Sequence, residues 1–105
     1  MAGVVFLPDS RTWTSSSSVF SWMLDVLAPR ARDPELVSEL RTVSDNNLGA
    51  LDLADMPAAC LAELTALVAQ LPAIGREELP DTPARPVIVE QLVELAEMLG
   101  DVPPR

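Results

Sequence analysis

The sequence predicts an α+β fold: a small two-stranded β-sheet packed against about four α-helices in a single compact domain. Three observations lead there. Leu51 and Leu53 flank Asp52 with the alternation of a short half-buried strand. Val4 to Leu7 is a second apolar, partly β-branched run, halted by the turn formers Pro8-Asp9-Ser10. Between and after these runs the apolar residues recur at helical spacing. The 105 residues suffice for one core, and an apolar content of 49% is enough to offset the entropy of ordering the chain.

In chain order, a strand at about 4–7 takes as its partner a strand at about 48–53, because an isolated strand leaves its own N–H and C=O groups unsatisfied. The direction of pairing is open. Two strands alone are marginal, so helices must cover them. The first helix is expected at about 15–28: Thr14 and the serines Ser15 to Ser18 offer hydroxyl caps. Val19, Phe20, Met23, Val26 and Leu27, with Trp22 beside them, follow at helical spacing. Pro29 should end or kink that helix near Leu27. Asp33-Pro34-Glu35 is a strong start for a second helix at about 34–44, with Leu36, Val37, Leu40 and Val43 on one face. Antiparallel packing on the first helix through the tight 30–32 connection is the economical arrangement.

After the central strand, a third helix at about 57–71 is capped by Asp55, with Pro57 in its first turn, and buries Cys60, Leu61, Leu64, Leu67, Val68 and Leu71. Pro72, Gly75, Pro80, Pro83 and Pro86 predict an extended surface crossing over about 72–85, with the last helix beginning at about Pro86. The last helix, about 86–99, runs through Ile88, Val89, Leu92, Leu95, Ala96 and Leu99 to a Gly100 cap, and residues 101–105 form a loose tail.

The composition narrows the chemistry. All 7 basic residues are arginine, and His, Lys and Tyr are absent, so there is no ready general base near neutral pH and no amine for Schiff-base chemistry. Cys60, the single cysteine, excludes an internal disulfide and has no His or Lys to activate it. There is no glycine-rich phosphate loop and no Gly-x-Ser-x-Gly elbow. Asp45-x-Asn47 invites comparison with a calcium loop, but Gly49 comes one place early and Met56 stands where the bidentate glutamate belongs. Asp52 and Asp55 read as a strand-edge carboxylate and a helix cap. No enzyme, cofactor or metal is expected. A carboxylate-based enzyme would require two acidic side chains converging in a pocket with a perturbed pKa.

A net charge of -9 argues against a nucleic-acid binder and against an anionic membrane surface, and is compatible with a basic protein partner. Glu90, Glu94, Glu97 and Asp101 recur at steps of four, three and four on the last helix, which places them on one face without an intervening arginine. This row, together with Trp13 if it is an exposed anchor rather than a core-edge residue, is the candidate partner-binding surface. The N-terminus has no basic region, and its apolar run is too short for a signal peptide or a membrane span, which predicts a cytoplasmic location. The expected function is that of a small acidic protein-binding module, such as an immunity protein or an antitoxin-like inhibitor of a basic partner. The alternative is a structural or assembly subunit of a phage, a secretion machine or a homodimer, contacting its neighbours through an apolar patch.

Overall fold

The computed structural model describes residues 2–46, 48–54 and 56–102. Its elements run β1 (Ala2–Phe6), β2 (Thr12–Ser16), α1 (Ser17–Arg30), α2 (Pro34–Asp45), β3 (Ala50–Asp52), α3 (Ala58–Val68), α4 (Leu71–Glu78) and α5 (Ala84–Gly100). The domain is α+β and forms one core, but among the described residues the sheet has three strands rather than two, and five helices accompany it rather than four.

The strand order is β2-β1-β3. The expected pairing of the N-terminal strand with the central one holds, and its direction is parallel, with Val4, Val5 and Phe6 opposite Ala50, Leu51 and Asp52. The added strand is β2, antiparallel to β1 with Val5 opposite Trp13. It follows a tight turn in which Leu7 donates its N–H to Arg11 O at 2.9 Å and Ser10 takes a positive φ of 74°. Thr14 and Ser15, expected before or within the first helix, therefore belong to a strand. Ser16 ends β2 and caps α1, its hydroxyl accepting the N–H of Val19 at 3.3 Å.

The pleat sorts the side chains. Val5, Leu7, Trp13, Leu51 and Leu53 are buried on one face, whereas Phe6, Thr12, Thr14, Ser16 and Asp52 are exposed on the other. Helix α1 lies against β1 on the buried face, close enough that a Cβ on Gly3 would overlap Phe20. Behind it Leu36 and Leu40 of α2, Leu64 of α3, Leu71 of α4 and Leu92 of α5 are fully buried. Each such leucine contributes about 1.5–3 kcal/mol relative to leaving it in water.

Five local expectations are corrected. Helix α1 passes through Pro29 and ends at Arg30, because a proline in the final turn forfeits only one helical bond; the Arg30 guanidinium donates to Val26 O at 2.9 Å and Ala31 N–H to Leu27 O at 3.0 Å. The stretch expected to be an extended crossing over 72–85 contains α4. Pro72 sits in its first turn, where no N–H is required, and Gly75 allows α5 to approach: a Cβ there would lie 3.2 Å from Leu92 Cδ1. Helix α3 starts at Ala58 directly after Pro57, with no side-chain cap, and ends at Val68; Asp55, the expected cap, lies outside the described residues. Gly100 is the last helical residue of α5 rather than a left-handed cap, and Asp101 follows with φ -85°. Of the expected loose tail, Asp101 and Val102 complete a turn onto the end of α5, Val102 N–H donating to Leu99 O at 3.2 Å, and residues 103–105 lie outside the described residues. Among the described residues no single helix is long and apolar enough to cross a membrane.

Candidate functional site

The acidic row on α5 is placed by the helix's inner face. Val89, Leu92, Leu95 and Leu99 are buried, which leaves Glu90, Glu94, Glu97 and Asp101 exposed on the opposite side. The row is not free of cations, as the sequence spacing suggested. Arg11, carried by the β1–β2 turn, reaches the end of α5, where its guanidinium donates to Met98 O at 2.6 Å and lies 3.8 Å from the Asp101 carboxylate. It also pairs with Asp9 at 2.6 Å. A cation at a helix C-terminus meets the negative end of the helix dipole, and no local pattern reveals that Arg11 serves there. Among the described residues Glu90, Glu94 and Glu97 have no ion-pair partner.

Trp13 is not an exposed anchor. Its indole is 2% exposed, and Nε1–H donates to Gln91 O on α5 at 2.9 Å. The strand period explains this: residue 13 shares the inward face with Val5 and Leu51, and burial of an indole requires a partner for its N–H, which α5 supplies. The residue pins the helix that carries the acidic row to the sheet.

A concave surface that sequence reasoning missed lies where α2, β3 and α3 meet. It is a cleft of about 460 Å³, with buried Leu36, Met56 and Cys60 in its lining, and with the carboxylates of Glu35, Glu39 and Asp52 among the exposed groups around it. Glu35 and Glu39 stand one turn apart on α2, and Asp52 comes from the outer face of β3. Among the described residues no arginine lines the cleft. Two neighbouring carboxylates have structural duties: Asp33 caps α2 by accepting the Glu35 N–H at 2.9 Å, and Glu63 accepts the N–H groups of Arg32 and Asp33 at 2.9 and 3.1 Å, fixing the α1–α2 connection to α3. Glu35 and Glu39 have no such partner among the described residues. Asp52 accepts the N–H of Ala54 at 2.9 Å, in a local turn.

The Cys60 thiol is pushed above its ordinary value of 9.0 by burial, by its hydrogen bond to Asp33 and by the charges of Asp33, Glu35 and Glu63. It is held as a neutral thiol and behaves as part of the apolar lining. A second hollow of about 560 Å³ crosses the α1–α2 connection, where Arg30, Arg32 and Glu63 mix both signs of charge. The first cleft thus combines apolar depth with charge of a single sign. That pairing suits the long aliphatic stem and charged head of an arginine or lysine side chain. Among the described residues no group of three or more acidic or cysteine side chains is placed to hold a metal ion.

No protein-family model matches the chain, and neither a curated protein nor a solved structure is significantly similar to it. Fold and surface define the class on their own: a small acidic α+β domain with unneutralised carboxylates on one helix and around one cleft.

Proposed function

We propose that this chain is a small acidic protein-binding module that acts by occupying a basic surface of another protein, in the manner of an immunity protein or an antitoxin-like inhibitor. The observation that carries this reading is the convergence of Glu35, Glu39 and Asp52 from two elements onto an apolar-lined cleft whose lining, among the described residues, holds no cation. Like charges one helical turn apart weaken α2 by about 0.2–0.5 kcal/mol, a cost that a cationic partner would remove. The α5 glutamates extend the same sign of charge and would steer association, whereas the cleft would hold a basic side chain once docked.

The test is affinity capture with the tagged chain at low and high salt, followed by binding kinetics with any basic protein retained. Charge-steered association should slow as salt rises. Glu35→Gln/Glu39→Gln/Asp52→Asn should speed dissociation, and Glu90→Gln/Glu94→Gln/Glu97→Gln should chiefly slow association. A retained partner whose kinetics ignore both triple variants would overturn the assignment of these surfaces.

A further inference from the structure

We propose that a second copy of this chain pairs along the outer edge of β2, antiparallel and centred on Thr14, joining the two three-stranded sheets into one continuous sheet. The backbone geometry leads to this edge. Val4 N–H donates to Gly49 O, and Phe6 O accepts from Leu53 N–H, both at 2.9 Å, so the even residues of β1 face β3. Leu7 N–H donates to Arg11 O, so the odd residues of β1 face β2. With Val5 opposite Trp13 and Gly3 opposite Ser15, alternation turns the N–H and C=O groups of Thr12 and Thr14, and the N–H of Ser16, away from the sheet. All three residues are exposed.

Edge strands are ordinarily protected by charge, proline, bulges or extreme shortness. β2 has none of these: Thr12, Trp13, Thr14, Ser15 and Ser16 are uncharged, and their register with β1 is unbroken over five residues. The other outer strand, β3, is three residues long and carries Asp52, so pairing two copies there would bring like charges together. β2 is also self-complementary. About a two-fold axis at Thr14, each Thr14 N–H meets the partner's Thr14 C=O, each Ser16 N–H meets the partner's Thr12 C=O, and threonine and serine side chains face one another on the outer surface.

A second copy is the occupant that this uncharged strand selects. Two chains of net charge -9 repel over most of their surface and can approach where no carboxylate intervenes. Screening should therefore favour self-pairing as salt rises, the opposite of its effect on a basic partner, so failure of this inference and failure of the proposed function are separately visible.

The experiment is sedimentation equilibrium of the purified chain across protein concentration at low and high salt, with amide hydrogen exchange read residue by residue. The expected result is a monomer–dimer equilibrium that shifts toward dimer with salt, and Thr14 and Ser16 amides that exchange roughly tenfold more slowly in the dimer. Thr14→Pro removes an outward N–H without breaking a bond to β1 and should abolish the dimer, while Thr14→Ala should retain it. A chain that stays monomeric throughout, or a dimer in which the Thr14 amide still exchanges as fast as in the monomer, overturns the proposal. Should Thr14→Pro fail to fold, the exchange of the unaltered chain decides.

Discussion

Replacing Trp13 with phenylalanine tests whether this residue anchors the fold or serves a partner. The indole N–H to Gln91 O bond, 2.9 Å long and linking β2 to α5, would be lost; a hydrogen bond of this kind contributes about 1 kcal/mol net. Shrinking a side chain that is 2% exposed to a single ring would also remove apolar contact and leave a small void, costing a further ~1–2 kcal/mol. Together the loss is about 2–3 kcal/mol, which for a domain of this size lowers the melting temperature by roughly 10–20 °C. Trp22, half-buried on α1, serves as the comparison, and its replacement by phenylalanine should cost under about 1 kcal/mol. Chemical denaturation of the two single-tryptophan proteins gives these values. Fluorescence in the same samples should show an indole shielded from a soluble quencher at position 13 and an accessible one at 22. A Trp13→Phe protein as stable as the parent, or a Trp13 that is freely quenched, would refute the assignment of Trp13 to the core.

Further outcomes follow from the same packing and charges. Gly3→Ala should destabilise by about 1–3 kcal/mol or prevent folding, because the new Cβ meets the Cβ and Cγ of Phe20, which a rotamer change cannot clear; thermal melting reads it. Cys60 should resist alkylation in the folded chain and react on unfolding, measured by mass after brief exposure to iodoacetamide. Its folded pKa lies above its unfolded one, so its contribution to stability is complete below about pH 9.0 and declines as pH rises through the folded value; denaturation across alkaline pH tests this, with Cys60→Ala as the reference. Glu35→Gln/Glu39→Gln should change stability by no more than about 0.5 kcal/mol, since the relief of a like-charge contact is offset by loss of the Glu35 charge from the first turn of α2, whereas Glu63→Gln should lower it by roughly 1–2 kcal/mol by weakening the acceptor for two backbone N–H groups.

The fold class was legible because two signals were strong: the period change around Leu51 to Leu71 and the Asp33-Pro34-Glu35 helix start. The β2 strand was not, because its inward face carries only Trp13 and Ser15 and its serines also read as helix caps. Ser16 both ends β2 and caps α1, so the cap reading held part of the answer. Helix α4 was hidden by its punctuation. Pro72 and Gly75 signal a break in a local reading, yet one occupies the first turn and the other makes room for Leu92 on α5, a requirement set by residues 17 positions away. The α5 row was readable from spacing alone. The cleft was not, since Asp52 meets Glu35 and Glu39 only after β3 has paired with β1 and α2 has folded beside it. The inward turn of Trp13 became clear only with its strand register.

The most direct test of the account is capture of a partner from the native host by the tagged chain at low and high salt, with the Glu35→Gln/Glu39→Gln/Asp52→Asn protein in parallel. The account predicts a basic protein retained at low salt, reduced at high salt and weakened by the triple substitution. Retention of a neutral or acidic partner that is indifferent to salt and to the three substitutions would contradict it.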